Sequence, residues 1–495
     1  MQHYPLVVIL MIACLGLQGC ASALPEQTLT PTQPNLPTAQ INPTPTAQAV
    51  QPTEPVPTPT LELLPTPAVP PPECSQYTLR AHLDVAANVL AVEQEVVYGN
   101  HTGETLDEIL LLVEPNWYAG AFNLGTVTWD DGSPAANYTL EGNQLRLPLP
   151  TLLVPQGTLR FSLTYTLNIP AQPGIFGYTE NQVVLSHWFA FVPPYREGWI
   201  AHPPGSFGEH LVYDSADFDV TITLSDPEIE ADLAAPAPAA PVEGGYRYTL
   251  QGARTFTWAL LYGFRFFQTT VGDVKIYAYV FPLHSIAGQA SLKTMADALP
   301  VFEQYFGAYP FESLTVVELE IEDGMEFDGL YLLGEYWFST YYNNPRNYLT
   351  ILSAHEAAHN WWFSQVANDQ ALEPWLDEAL TTYTELIFYE AVYPELVNWW
   401  WEYRVTMWEP VGNIDSSIYD YGYYEAYRQA IYLRGAQFFQ ALREAMGDEA
   451  FFAFLRDYAE QGRGRIMISE DFFTILREHS DADLTPILAE YFANP

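Results

Sequence analysis

Two histidines and two glutamates have the spacing of a metal site. His355 and His359 lie four residues apart, so on a helix both imidazoles face the same side and can bind one metal ion. Glu378 offers a third ligand, and two imidazoles with one carboxylate leave a tetrahedral zinc ion with one open position, as in catalytic sites. Glu356 follows His355 directly and would lie beside that open position as a general base. This pattern predicts zinc-dependent hydrolysis.

The flanking sequence favours a buried position for the motif. Mostly apolar residues from Asn347 to Ser353 lead into it and an aromatic run from Trp361 to Phe363 follows it, which predicts one buried helix. A second helix is predicted from Trp375 to Tyr389, with Pro374 before it, and this helix carries Glu378. The alternative is an inert histidine pair on a core helix, which this context disfavours.

Four segments together resemble the aminopeptidase N family of zinc metallopeptidases, whose catalytic domain is similar to that of thermolysin. Each segment matches a family motif, and their order and approximate spacing match as well. In chain order they are Phe302 to Pro310, Gly324-Met325-Glu326, His355 to His359 with Glu378 after eighteen intervening residues, and Tyr432 to Ala436.

The resemblance implies an aminopeptidase with one zinc ion per chain, bound by His355, His359 and Glu378. It also implies that Glu326, with Gly324 and Met325, binds the free amino terminus of a peptide, and that Tyr432 stabilises the transition state. Glu385 lies seven residues after Glu378 on the same helix face and matches a family carboxylate that orients a metal ligand from behind. A metalloendopeptidase and a non-catalytic surface module that binds peptides remain the alternatives.

Composition restricts the class of partner. The chain of 495 residues is 48% hydrophobic and 15% aromatic, which is ample for two or three domains with sizeable cores. Its formal net charge of −42 repels nucleic acid and anionic membrane surfaces, so neither is expected to bind the folded domains. We expect a monomer that acts on peptide substrates with a free amino terminus.

The amino terminus has the pattern of an export signal. Leu17 to Cys20 follows a short apolar run and resembles a bacterial lipobox, so residues 1–19 are predicted to be a signal peptide and Cys20 to become lipidated. An ordinary secretory signal is the alternative. Between Ala21 and Glu73, 15 of 53 residues are Pro and 10 are Thr, so residues 20–73 are predicted to be a lipidated, extended linker. The prediction is an exported lipoprotein, anchored to a membrane at the cell surface or facing the periplasm.

Only Cys74 would remain as a free cysteine in the folded part, so no intramolecular disulfide is expected.

The histidines of the amino-terminal half, His187, His202 and His210, are expected to be packing or surface residues rather than metal ligands. In the family that the chain resembles, the β domain helps to close the substrate cleft. The loop from His187 to Trp199 is therefore expected to contact the end of the peptide.

The chain predicts an α+β fold in two domains. Alternating segments such as Tyr77 to Leu83 predict an N-terminal antiparallel β sandwich or saddle at residues 74–268. By resemblance, residues 269–495 form a thermolysin-like, mainly α-helical zinc peptidase domain with a small sheet. This domain includes a helix from Ile286 to Tyr305 and a strand from Leu314 to Glu322, on which Glu318 is expected to face solvent. We also expect no helical carboxy-terminal domain, so that longer peptides can enter the cleft.

Overall fold

Alternation of apolar and polar residues builds the strands of the amino-terminal part. The computed structural model describes residues 73–494, so the predicted signal peptide, Cys20 and all of the predicted linker except Glu73 lie outside the described residues. The strands of this part are β1 (Ser75–Asp84), β2 (Val89–Gly99), β3 (Leu106–Leu112), β4 (Phe122–Trp129), β5 (Thr139–Glu141), β6 (Gln144–Leu153), β7 (Thr158–Asn168), β8 (Phe176–Tyr178), β9 (Gln182–Leu185), β10 (Ala216–Leu224), β11 (Asp232–Ala234), β12 (Ala240–Val242), β13 (Gly245–Ala253) and β14 (Trp258–Leu261).

These strands form three sheets. A seven-stranded sheet has the order β12-β13-β10-β1-β2-β7-β4, a four-stranded sheet the order β11-β14-β9-β8, and a three-stranded sheet the order β3-β6-β5. Neighbouring strands are antiparallel except for β1 and β10, which are parallel. Every second side chain of β7 is buried, because successive side chains of a strand point to opposite faces.

A mixed five-stranded sheet opens residues 265–494, which carry the predicted zinc ligands and are called the catalytic region for that reason. Its order is β15-β16-β17-β19-β18, with β17 parallel to both of its neighbours. The predicted domain boundary at residues 268 and 269 falls inside the first of these strands. The strands are β15 (Arg265–Val271), β16 (Val274–Val280), β17 (Ser313–Leu319), β18 (Gly324–Phe327) and β19 (Leu330–Gly334), and a separate short pair is β20 (Val366–Ala367) with β21 (Arg465–Ile466).

The expectation that Glu318 faces solvent is wrong. Its side chain is 0% exposed, because β17 lies in the middle of the sheet and all seven of its residues are buried. The Glu318 carboxylate accepts a hydrogen bond from the backbone N–H of Phe281 at 2.8 Å and pairs with the His284 ring. Burial raises the pKa of Glu318 to about 7.

Helices make up most of the chain after β19, as predicted. Helix α1 is flanked by the sheet on one side and by helix α3 on another, and it runs from one residue before to one residue after its predicted bounds. None of the helices within residues 73–494 is both long and apolar enough to cross a membrane. They are α1 (Ser285–Phe306), α2 (Glu335–Ser339), α3 (Tyr348–Ala358), α4 (Glu378–Val392), α5 (Val397–Trp400), α6 (Tyr424–Arg428), α7 (Arg434–Met446), α8 (Asp448–Gln461), α9 (Ser469–His479) and α10 (Thr485–Tyr491).

A buried arginine joins the β-rich part to the catalytic region. Arg254 lies just after β13, is 1% exposed, and its guanidinium donates hydrogen bonds to backbone carbonyls on three separate segments. These carbonyls belong to Tyr213 at 2.9 Å, Phe363 at 2.8 Å, Ser364 at 3.0 Å and Arg465 at 3.0 Å. Two of them lie in the segment Asn360–Gln365 that follows α3, so Arg254 fixes the chain that leaves this helix.

Asp328 completes this junction. Its Oδ2 accepts hydrogen bonds from the backbone N–H groups of Arg254 at 3.0 Å and Thr255 at 2.7 Å, and from the Thr255 hydroxyl at 2.6 Å. Asp328 is fully buried, and its charge offsets that of the guanidinium. The catalytic region is therefore held in a defined position against the β-rich part, with which it forms one compact unit.

Candidate active site

Helix α3 presents the predicted histidines. Asn347 caps its first turn by accepting a hydrogen bond from the backbone N–H of Thr350 at 3.1 Å, which starts the helix at a defined residue. His355 lies in its last turn and His359 directly follows it with helical backbone angles. The two imidazole rings are 4.8 Å apart between centroids and are both buried.

The third predicted ligand comes from the start of the next helix. Glu378 is the first residue of α4, after a short 3-10 turn at Pro374–Leu376, so the helix begins three residues later than predicted. Its Oε2 lies 3.2 Å from His355 Nε2 and 3.7 Å from His359 Nε2. One ligand atom from each of the three residues lies within 4.8 Å of the others.

Carboxylates hold the other nitrogen of each imidazole. His355 Nδ1 lies 2.9 Å from Glu385 Oε1, and His359 Nδ1 lies 2.8 Å from Asp377 Oδ1. Both Nε2 atoms are thereby directed toward Glu378, and histidines backed by carboxylates in this way are typical zinc ligands. The residues therefore fit a zinc ion with two imidazoles and one carboxylate as ligands.

A second group of potential ligands overlaps the first. Glu326, Glu356 and His359 also bring one nitrogen or oxygen each within 4.8 Å of one another. This group contains a single imidazole, whereas the first has two, each with its Nδ1 held by a carboxylate. The first group is thus the better zinc site, and Glu326 and Glu356 lie beside it.

Glu385 is itself held firmly. Arg404 donates to Glu385 Oε2 from Nε at 2.9 Å and to Oε1 from Nη2 at 2.9 Å, while Trp400 Nε1 donates to Oε2 at 3.0 Å. Burial would raise the pKa of Glu385, but Arg404 and His355 lower it overall, so the carboxyl is ionised. The structure places this residue where the sequence predicted it, behind a histidine ligand.

Replacing Glu385 with glutamine is expected to weaken zinc binding by about tenfold to a hundredfold, because the neutral amide orients His355 less strongly. Competition with a fluorescent chelator measures this without reference to turnover. Glu390→Gln is the matched control: it lies on the same helix and pairs with Arg443 at 2.8 Å, away from the zinc site. Equal zinc affinity in the two variants would contradict the role assigned to Glu385.

Glu356 lies beside the site with part of its carboxylate free. Its Oε2 is buried and has no hydrogen-bond partner among the described residues. A methyl group added at Gly324 would lie 2.0 Å from Glu356 Oε1, so only glycine at that position leaves room for this carboxylate. Burial raises the pKa of Glu356 to about 8, with His355 and His359 opposing the rise.

Glu326 is linked to the zinc site through a glutamine. Gln370 Nε2 donates to Glu326 Oε1 at 3.0 Å and to Asp377 Oδ2 at 2.7 Å, and Asp377 in turn holds His359. Glu326 lies on edge strand β18 and is 5% exposed. Sequence reasoning missed Gln370 and Asp377. The sequence did contain a signal for Asp377, namely its position directly before Glu378. It contained no such signal for Gln370.

Tyr432 packs against the imidazole ring of His355. Its ring is stacked on the His355 ring, with centroids 6.0 Å apart and planes 17° from parallel. Burial raises the pKa of the Tyr432 hydroxyl well above its usual value, so the group is a hydrogen-bond donor. Gly435 lets the segment that carries Tyr432 pack closely against α4, because a methyl group added there would lie 2.2 Å from Ala379 Cβ.

Two cavities meet at the site. The metal cavity, of about 440 Å³, is lined by the zinc-site residues together with Glu356 and Tyr432. The side cavity, of about 160 Å³, lies between the β-rich part and β18 and includes Met325 in its wall. The two cavities share Gly208, Glu209 and Glu326, which mark the passage between them.

Sequence reasoning also missed Glu209. It reaches the passage on a loop that is held at Gly208, whose φ is +73° and where a methyl group would lie 2.6 Å from Ile418. His202 holds the same loop through Asp369 Oδ2, 2.8 Å away, and so has a packing role as predicted. Burial raises the pKa of Glu209 well above its usual value, and the charge of Glu326 raises it further.

The loop from His187 to Trp199 contributes less to the cleft than predicted. His187 lines the side cavity, whereas residues 188–194 are buried in the β-rich part and Arg196 and Glu197 are exposed. His210 also lines the side cavity. Neither histidine belongs to a potential metal-binding group among residues 73–494.

Comparison with known proteins identifies relatives of this architecture. Residues 290–491 match the peptidase family M1 domain. The chain is 24% identical over 240 residues to Aminopeptidase M1-B of Oryza sativa subsp. japonica, covering 45% of this chain and 27% of that protein. It is 29% identical over 134 residues to Endoplasmic reticulum aminopeptidase 2 of Homo sapiens, covering 26% of this chain and 14% of that protein. The chain thus spans about a quarter or less of the length of these curated relatives.

A solved structure matches more of the chain. A variant of an M1 zinc metallopeptidase from Deinococcus radiodurans aligns with a TM-score of 0.60 at 19% identity, covering 88% of this chain and 97% of that one. At this identity the match concerns the fold: an N-terminal β-rich part followed by a helical region is shared over nearly the whole of the described chain.

Proposed function

We propose that this chain, whose residues 290–491 match the peptidase family M1 domain, is a zinc aminopeptidase that removes amino-terminal residues from peptides. The position of Glu326 carries this proposal. A buried carboxylate lies at the passage between the two cavities and is tied through Gln370 and Asp377 to the ligand His359. A substrate ammonium bound by Glu326 would place the first peptide bond next to the zinc site.

One zinc ion per chain, held by His355, His359 and Glu378, would supply Lewis acidity that polarises a carbonyl group and lowers the pKa of water. Glu356 takes the proton of the attacking water at its free Oε2 and passes it to the leaving amine. Because this carboxylate is buried and Gly324 leaves room for it, it keeps one position through both transfers.

Tyr432 acts on the developing negative charge. Its hydroxyl lines the metal cavity and is held by the stacking of its ring on His355. When the scissile carbonyl oxygen gains charge, this hydroxyl donates a hydrogen bond to it, a contribution of about 3 kcal/mol for one such donor. Glu326 meanwhile neutralises the ammonium and limits cleavage to the first residue.

Acetylation of the amino terminus is expected to abolish hydrolysis, because an amide has no positive charge for Glu326 to bind. For the same reason, Glu326→Gln should lower kcat/KM on free peptides by about a hundredfold. Both effects are measured with paired fluorogenic peptides that differ only in the acetyl group.

Glu320→Gln is the control, since this residue is exposed and lies outside both cavities. Zinc content must be unchanged in Glu326→Gln, which separates amine binding from a role of Glu326 as a metal ligand. Equal cleavage of free and acetylated peptides would instead identify a metalloendopeptidase. No turnover with zinc bound would identify a peptide-binding module.

We also propose that the enzyme works outside the cell as a monomer anchored to a membrane, on extracellular peptides. The apolar run before Cys20 and the Pro- and Thr-rich residues 20–73 support this placement. Cys20→Ser is expected to move the protein from the membrane fraction to the soluble fraction, measured by fractionation and immunoblotting. Cys74→Ser is the control and should remain in the membrane fraction. Retention of the Cys20→Ser variant in the membrane would argue against a lipid at that residue.

A further inference from the structure

The metal cavity opens to solvent beside three exposed residues. Asp323, Trp408 and Tyr424 line this cavity and are exposed, whereas Glu326 and the zinc ligands in the same wall are buried. The Arg428 guanidinium lies over the Trp408 ring, 4.4 Å from its centroid, so Trp408 is already covered by a neighbour on one face. The three exposed residues mark the mouth of the metal cavity, and Glu326 marks its inner end.

A hydrogen bond joins two of the three residues across this mouth. The hydroxyl of Tyr424, the first residue of α6, donates to Oδ2 of Asp323, directly before edge strand β18, at 3.0 Å. Partial burial and the charge of Asp323 raise the pKa of the Tyr424 hydroxyl, so this group stays protonated and donates. The bond, called here the mouth bridge, links the sheet to the helices.

Both partners of the mouth bridge are held by further contacts. The backbone carbonyl of Asp323 accepts a hydrogen bond from the N–H of Gly334 on β19 at 2.9 Å. On the other side, the ring of Phe207, from a loop of the β-rich part, packs edge-on against the Tyr424 ring with 6.4 Å between centroids. Groups that are already positioned lose little conformational freedom when they bond, so the mouth bridge is closed in the free protein.

The distance from Glu326 to the mouth bridge sets the length of peptide that fits. Asp323 lies three positions before Glu326, and a strand rises about 3.3 Å per residue, so the two residues are about 10 Å apart. An extended peptide advances by a similar rise, so one with its ammonium at Glu326 reaches the bridge at about its fourth residue. The cavity volume of about 440 Å³ agrees, since it is roughly three times that of a cavity of about 150 Å³ that holds one benzene ring.

We infer that the mouth bridge between Tyr424 and Asp323 makes the enzyme selective for peptides of two or three residues. This inference rests on the proposed aminopeptidase function, because it places the amino terminus of the peptide at Glu326. A longer peptide passes the mouth only when the bridge opens, and the bond that opens is a hydrogen bond to a charged group. Longer peptides, which the sequence led us to expect in an open cleft, therefore react more slowly.

Hydrolysis of alanine peptides of two, three, four and six residues by the full zinc-loaded protein tests this selectivity. We expect kcat/KM for the tripeptide to exceed that for the hexapeptide by about tenfold, the effect of breaking one net hydrogen bond to a charged group. Tyr424→Phe removes the hydroxyl but keeps the ring beside Phe207, so this ratio should fall to about one. Asp323→Ala should have the same effect, whereas Asp323→Asn keeps an acceptor oxygen and should keep the preference.

The neighbouring tyrosine provides the matched control. Tyr423 is 66% exposed and lines neither cavity, so Tyr423→Phe should have the same tripeptide-to-hexapeptide ratio as the parent protein. A ratio of about one in the parent protein, an unchanged ratio in both Tyr424→Phe and Asp323→Ala, or an equal loss of preference in Tyr423→Phe would overturn the inference.

Binding separates this inference from the proposed function on which it rests. Calorimetric titration of the zinc-loaded Glu356→Gln variant with the same peptides measures the length preference without turnover. If the parent protein hydrolysed no peptide, but the tripeptide still bound more tightly than the hexapeptide and Tyr424→Phe removed the difference, the aminopeptidase proposal would fail and the mouth bridge would stand. If free peptides of all lengths were hydrolysed equally and acetylated ones were not, the aminopeptidase proposal would stand and the mouth bridge would fail.

Discussion

Replacing Glu356 with glutamine is expected to lower kcat by about a thousandfold while zinc remains bound. Glutamine has nearly the same shape but cannot take a proton, and a positioned general acid and base contributes about a hundredfold to ten-thousandfold to the rate. Glu356 is not one of the three zinc ligands, and its Oε2 has no hydrogen-bond partner among the described residues, so the substitution leaves the ligand set intact. Steady-state kinetics with a peptide substrate and zinc content by atomic absorption together measure the effect.

Glu335→Gln serves as the control for this experiment, because Glu335 is exposed at the start of α2 and lines neither cavity. Its kcat should be that of the parent protein. A Glu356→Gln variant with activity within tenfold of the parent would show that another group moves the proton. A variant that also lost its zinc would show that Glu356 binds the metal, in the second group with Glu326 and His359.

Arg254→Met is expected to lower the free energy of unfolding by about 3 to 5 kcal/mol, because it leaves buried backbone carbonyls without donors and removes the positive charge near Asp214 and Asp328. Methionine approximates the length of the side chain but donates no hydrogen bond to the carbonyls of Tyr213, Phe363 and Ser364. Urea unfolding followed by fluorescence measures the loss. Zinc affinity should also fall, since two of those carbonyls lie just beyond His359.

The chain offers a matched control on strand β13. Arg247 is 52% exposed and forms two hydrogen bonds of 2.7 Å with the carboxylate of Asp219. Exposed ion pairs contribute little to stability, so the urea midpoint of Arg247→Met should stay close to that of the parent protein. If the two variants were equally stable, the guanidinium of Arg254 would not be what holds the two parts together. If Arg254→Met does not fold, Arg254→Lys, which keeps the charge but not the fork of donors, should be destabilised less.

Local patterns in the chain predicted several of the elements correctly. The alternation of Tyr77 to Leu83 lies within β1, and the helix expected from Ile286 to Tyr305 is α1 with one more residue at each end. Such patterns depend on neighbours a few residues apart, so they can be read before the fold is known. The same reasoning was wrong for Glu318, because alternation along a strand does not reveal that both faces of a central strand are covered.

Part of the zinc site could also be predicted from a short pattern. His355, Glu356 and His359 lie within one helical turn and its continuation, so their spacing alone places them together. Spacing supported Glu378 less directly, since eighteen residues and a change of direction separate it from His359, and the family resemblance added to its assignment. The residues that hold the ligands from behind were harder to find. Glu385 was predicted from its place on α4, whereas Asp377 and Gln370, which lie before that helix, were missed.

Residue types and short spacings in the sequence were enough to predict a zinc site, several of the elements and the acidic charge of this protein. Tertiary structure was needed to show which residues line the two cavities. Glu209 and Glu326 come from distant segments, and only the docking of the β-rich part on the catalytic region brings both to the wall that the two cavities share. Contacts between residues far apart in the chain depend on how whole surfaces pack, and no short pattern in the sequence encodes that packing.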